Sequence, residues 1–278
     1  MNGQGYRRAG FARGLGWLPA GGELLARGLR PLAGVAAVWL LVSMLALIPV
    51  AGQLVVALLT PLLTAGALLA FHAVATGSRP PPSTLLAAWQ PASRRTALIW
   101  IGAFGLIGSV AAFAVLAGWL GTQVTPDQLE AAMRSPEALA ELLGEVSLGG
   151  GLVLAAAVLA AVITIMYFAI PLVAFGRLSA PRALVTGLRA ALANWAAFLG
   201  LGLAVIGLAV AAALVLMVLL LFLSLALGTL GQYIGQVVLI VTAMFIQMLM
   251  VGTQYVAFRD VFGPIDSSPV AKDDQLLA

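Results

Sequence analysis

The stretch WAAFLGLGLAVIGLAVAAALVLMVLLLFLSLAL, residues 195–227, contains no Asp, Glu, Lys or Arg. It is well beyond the roughly 20 apolar residues that cross a bilayer core as helix. Five more apolar runs accompany it: Leu32 to Ile48, Leu54 to Ala75, Ala97 to Trp119, Leu152 to Phe175 and Ile234 to Phe258. All but the first exceed the spanning length, and none carries a charged residue. The sequence therefore predicts an all-α, polytopic transmembrane helical bundle of six spans.

Composition points the same way. The chain is 62% hydrophobic and 9% charged, against roughly 45–50% and 25% in soluble domains, so a water-soluble fold would expose an untenable apolar surface. The net charge of +4 does not mark a nucleic-acid partner. The basic residues are spread over the N-terminus and short loops and do not form one patch.

Thirteen of the 14 Lys and Arg residues fall on one side of a zigzag through the six runs. Arg7, Arg8, Arg13, Arg27 and Arg30 precede the first; Arg79, Arg94 and Arg95 separate the second and third; Arg177, Arg182 and Arg189 separate the fourth and fifth; Arg259 and Lys272 follow the sixth. By the positive-inside rule this side is cytoplasmic, so both termini are expected in the cytoplasm. Only Arg134 lies opposite, in a loop with Asp127, Glu130, Glu137, Glu141 and Glu145.

Three regions follow. Residues 1–31 form a basic N-terminal segment with an amphipathic helix, and 32–258 the six-span domain with an external acidic helical loop at 121–151. Residues 264–278 read as a disordered cytoplasmic tail. About thirty residues precede the first run, long for a signal n-region, so the first span is expected to stay attached. In the external loop, Thr125, Pro126 and Gln128 have the pattern of an N-cap, a first-turn proline and a capping-box glutamine, and Ser135 with Pro136 repeats the cap. Two short helices are expected there.

Internal similarity suggests three repeats of an interfacial helix followed by a transmembrane hairpin. The even-numbered runs close on LLAFHAV, LVAFGRL and YVAFRDV, which aligns Phe71, Phe175 and Phe258. A shift of 99 residues places Pro82 on Pro181, Leu85 on Leu184 and Gly108 on Gly207. Each odd-numbered run follows a short amphipathic segment. In the third, Arg182, Thr186 and Arg189 share one helical face, while Leu184, Val185, Leu188 and Leu192 share the other. Such a helix lies in the membrane surface. The first has Trp17, Gly21, Leu24, Leu25 and Gly28 as its stripe, with Glu23 four residues before Arg27; the second, around Leu85, Leu86 and Trp89, should end at Pro91.

Little else carries chemistry. The chain has no Cys and one His, which excludes disulfides and thiolate metal sites and leaves no zinc cluster. No cofactor, metal or catalytic residue is expected, and the absence of charge within the runs argues against proton-coupled pumps and voltage sensors. His72 reads as a hydrogen-bonded interfacial histidine. Gln247 and Gln254 share a face of the last run and form a candidate polar path, or else hydrogen-bond between helices. Gly102, Gly105, Gly108, Gly231 and Gly235 suit close helix packing, and Pro61 and Pro171 should kink their spans. Glu137, Glu141 and Glu145 at helical spacing read as a solvated face.

The segments GWLPAGGELLARGLRPL and ALIPVAGQLVVALLTPLLTAGALLAFHAV resemble a proteobacterial family of six-span inner-membrane proteins of unknown function. Gly16, Trp17, Pro31, Pro49, Gly52, Pro61, Leu62, Ala65 and Gly66 carry the likeness. It implies a six-span topology and an inner-membrane location, and it brings no catalytic residue. The expected role is therefore non-catalytic organisation of lipid or of a protein partner, which includes a second copy of the chain. The partners are membrane lipids of the anionic cytoplasmic leaflet, with Arg27, Arg30, Arg94, Arg95, Arg182 and Arg189 as candidate headgroup contacts. A bias to Arg over Lys suits bidentate phosphate contacts, although GC-rich coding produces the same bias. The alternative is a facilitator or transporter component for a small, mostly uncharged solute; an enzyme acting at the external surface is the weakest reading.

Overall fold

The computed structural model describes residues 6–265 except 133, 138–141, 143, 145, 146 and 177. Its helices are α1 (Phe11–Arg27), α2 (Leu29–Ser43), α3 (Ala51–Ala75), α4 (Ala92–Gly121), α5 (Pro126–Ala132), α6 (Leu148–Gly176), α7 (Ala180–Ala193), α8 (Trp195–Leu227) and α9 (Thr229–Phe262). Short 3-10 segments occupy Met44–Leu47 and Pro82–Trp89, and the described residues contain no strand. Six segments are long and apolar enough to cross a membrane: Leu29–Leu47, Ala51–Ala75, Ala92–Gly121, Gly149–Gly176, Trp195–Leu227 and Thr229–Phe262. The protein is an all-α, multi-pass membrane protein.

The helices outrun the apolar runs that announce them. α4 begins five residues before Ala97 and takes Arg94 and Arg95 into its first turns, while α9 carries Arg259 and Asp260 in its last. Polarity marks where hydrocarbon ends; a helix continues until its backbone is turned. At the end of α9 that is done by Gly263, at φ 91° with its N–H on the Arg259 carbonyl at 3.0 Å. Gly228, at φ 54°, makes the tight turn between α8 and α9. At 33 and 34 residues these two helices are each about 50 Å long, against a hydrocarbon core of about 30 Å.

α3 and α6 run through Pro61 and Pro171 without ending. In α3, Thr60 and Thr64 donate their hydroxyls to the carbonyls four residues back, both at 2.8 Å. Before α4, the segment expected as a second amphipathic helix is the 3-10 stretch Pro82–Trp89. Prolines at 80, 81, 82 and 91 bracket this stretch and confine it to eight residues.

Around α5 the capping box forms as the sequence predicts. The Thr125 N–H donates to Gln128 Oε1 at 2.9 Å and the Gln128 N–H to Thr125 Oγ1 at 3.4 Å. Arg134 pairs with Glu130 at 2.6 Å. Pro136 and Glu137 are helical, whereas Glu141, Glu145, Arg177 and the expected disordered tail from 266 onward lie outside the described residues.

The chain forms two compact units. The first comprises residues 1–37, 67–84 and 190–278, the second 38–66 and 85–189. In the first, α1 packs along the start of α8 and the second half of α9. Gly14 and Gly21 permit this, since a Cβ on Gly14 would overlap the Ala197 carbonyl and one on Gly21 would sit 2.5 Å from the Thr253 nitrogen. Trp17 is buried edge-to-face on Phe198, with centroids 6.1 Å apart. Further along the hairpin, Gly231 and Gly235 meet Leu223 and Leu220.

In the second unit α4 packs on α6. Gly105 and Gly108 line that side of α4, meeting Met166 and Val162, while Gly102 meets the Leu58 backbone of α3. Small residues let helix backbones approach in lipid, where apolar side chains gain nothing by leaving a solvent that resembles them.

Candidate functional site

The polar feature of the first unit begins at Asn194, one residue before α8. Its side chain is 1% exposed, and Oδ1 accepts from the Ala9 N–H at 2.6 Å. Nδ2 donates to the Arg7 carbonyl at 3.2 Å and the Ala190 carbonyl at 2.8 Å. A buried amide satisfied in this way fixes the segment it holds. The Arg7 N–H in turn donates to the Val261 carbonyl at 2.7 Å, and Tyr6 lies edge-on to Phe262. The N-terminal strap is thus tied to the last turn of α9, which brings Arg7 beside residues some 250 positions away in sequence.

Between the strap, the polar side of α1 and the end of α9 is an open cleft of about 600 Å³. Arg7, Arg13, Arg27 and Arg259 line it, together with Glu23 and Asp260. Asp260 is fully engaged: Arg13 Nη2 lies 2.6 Å from Oδ1, and the Trp17 indole N–H donates to Oδ2 at 3.0 Å. Glu23 lies 3.7 Å from Arg27 across one helical turn, a loose exposed pair. Arg259 stands over the Tyr255 ring at 5.8 Å. The Tyr255 hydroxyl lies 3.0 Å from His72 Nδ1, the hydrogen bond expected of that histidine. Four guanidinium groups around two committed carboxylates make a site for an anion.

The second unit carries the other basic face. On α7, Ala183 and Gly187 are buried, with Gly187 against the Ile165 carbonyl and Ala169 of α6. Arg182 and Arg189 are exposed and line a groove of about 400 Å³ with Val185 and Thr186. Val185, Leu188 and Leu192 are 49%, 39% and 65% exposed, so the leucine-rich face is largely uncovered by the described residues. Arg94 donates to the Gln90 carbonyl at 3.0 Å and lines a separate cavity of about 460 Å³ with Trp100, Ser179 and Pro181.

Of the other residues singled out in the sequence, Arg30 is exposed at the start of α2 and Arg95 half-buried. On α9, Gln254 is only 6% exposed and Gln247 half-buried. The fold brings Arg27 to the cleft and Arg182 with Arg189 to one groove. Sequence reasoning took Arg7, Arg13 and Arg259 only as markers of orientation and overlooked Asp260 and Asn194. Asp260 carried a usable signal, being an acid directly after the basic residue that closes the last span. Among the described residues no group of His, Asp and Glu could hold a metal ion. The fold and the site thus define a multi-pass helical membrane protein with a cationic cleft. The chain matches no family model, no curated protein and no solved structure.

Proposed function

We propose that the protein is a non-catalytic inner-membrane protein of the proteobacterial family it resembles, and that it gathers anionic lipid at the cytoplasmic leaflet, where both termini lie. The observation that carries this reading is the exposure of α7. A helix that buries Ala183 and Gly187 while leaving Val185, Leu188, Leu192, Arg182 and Arg189 outside has acyl-facing and headgroup-facing sides at once. Exposed apolar side chains beside arginines are what a helix at a membrane surface requires.

The threefold repeat finds support in local packing. Gly66 of α3 accommodates the Leu85 backbone of the 3-10 segment, Ala169 of α6 lies against Gly187 of α7, and Thr253 of α9 lies against Gly21 of α1. Each site is five or six residues before the aligned Phe71, Phe175 or Phe258. Three short elements meet three even-numbered spans at the same place, as copies of one plan would.

Basic side chains near an anionic surface contribute about 1 kcal/mol each. The double variant R182Q/R189Q should therefore hold anionic lipid roughly thirtyfold more weakly while keeping its fold. Native mass spectrometry from mild detergent reads this directly, and unchanged retention of anionic lipid rejects the reading. A solute path along α9 has less support, because Gln254 is packed among the buried Met248, Val251 and Tyr255.

A further inference from the structure

We propose that the cleft between α1 and the end of α9 binds a phosphomonoester dianion, held chiefly by Arg7 and Arg259. The argument starts from charge. Of the four arginines lining the cleft, Arg13 is bound to Asp260 at 2.6 Å and Arg27 faces Glu23 at 3.7 Å. Among the described residues no carboxylate lies within ion-pair distance of Arg7 or Arg259. Among the described residues two positive charges are left in the cleft, and a phosphomonoester carries about −1.5 to −2 at neutral pH. A carboxylate or a phosphodiester would neutralise only one of them.

Geometry agrees. A guanidinium presents paired N–H donors that fit phosphate oxygens, and a phosphate has enough acceptors to serve two such groups. The backbone of one arginine and the side chain of the other are held in place. The Arg7 backbone is pinned by Asn194 and Val261, and Arg259 is held over the Tyr255 ring. The volume of about 600 Å³ is that of a small-molecule site. Gly16, Ala20 and Val256 make part of the wall apolar, with room for the ester substituent.

The shared chemistry is the phosphomonoester group, whether carried by a lipid or by a free solute. The lipid-gathering function proposed above bears only on which carrier delivers it, and this site lies in a different unit from Arg182 and Arg189.

The test uses the full chain in a neutral detergent, titrated with dihexanoyl phosphatidic acid, glycerol 3-phosphate and dihexanoyl phosphatidylcholine, with bound species counted by native mass spectrometry. One phosphomonoester should bind, inorganic phosphate should displace it, and phosphatidylcholine should not replace it. The binding that inorganic phosphate displaces should fall at least tenfold in R7Q/R259Q and fall less in R7K/R259K, whereas R182Q/R189Q should lower only the lipid binding that inorganic phosphate does not displace. That last result separates failure here from failure of the lipid-surface reading. Equal binding of glycerol 3-phosphate and the lipid assigns a solute, and binding of the lipid alone assigns an amphiphile. Absence of a bound phosphomonoester in the wild type overturns the proposal, as does indifference to inorganic phosphate or undiminished binding in folded R7Q/R259Q.

Discussion

Helices α1 and α7 look alike as sequences, each a short segment with arginines on one side and leucines on the other, yet they meet protein with different faces. α1 buries its apolar stripe: Trp17, Leu24 and Leu25 are 2%, 8% and 3% exposed, and its charged side lines a cleft. α7 leaves its leucines outside and buries a third face, of Ala183, Gly187 and Ala190. The difference lies in where the small residues fall. In α1, Gly14 and Gly21 interrupt the apolar stripe itself, so that stripe can approach α8 and α9 closely. In α7 the small residues form their own row at helical spacing, leaving the leucines exposed.

The sharpest way to break this comparison is to fill the glycines. Gly21→Leu should prevent α1 from docking, with a loss of about 3 kcal/mol or more, because the obstacle is the Thr253 backbone. The neighbouring Gly22→Ala should change stability by less than about 0.5 kcal/mol, since the nearest atom is the Leu249 side chain at 3.5 Å. Thermal unfolding in one detergent distinguishes the two, and equal effects would mean that α1 is not seated on α9.

Next come the leucines. Leu25→Ala should cost about 2–3 kcal/mol by leaving a cavity under α1. Leu192→Ala, at a site 65% exposed, should cost no more than about 0.5 kcal/mol. A large loss at Leu192 would show that protein, not lipid, covers that face of α7.

Asn194→Ala tests how the strap is held. It removes the side-chain bonds to Ala9, Arg7 and Ala190 and should destabilise by about 2 kcal/mol. Limited proteolysis should then cut sooner near residues 6–10, and unchanged protection would show that the strap is held from α9 alone.

Much of the fold was legible because it depends on local chemistry. Uncharged runs announced the spans, Thr125 and Gln128 the start of α5, and Gly102, Gly105 and Gly108 the packing side of α4. The apolar runs Ala97 to Trp119 and Ile234 to Phe258 mark only the greasy part of their helices, since α4 begins at Ala92 and α9 ends at Phe262. The candidate cleft was barely legible. Arg7, Arg13, Arg27, Arg259 and Asp260 are unremarkable alone, and the Arg13–Asp260 pair joins positions 247 residues apart.

By itself the amino-acid sequence determined that this protein is an all-α, multi-pass membrane protein, because the cost of placing charge and unpaired backbone in hydrocarbon acts residue by residue along the chain. Only the tertiary structure decided which side of each amphipathic helix faces protein and which arginines share a cleft. Those outcomes depend on how closely backbones can approach and on a single buried amide, Asn194, that ties the N-terminal strap between distant helices.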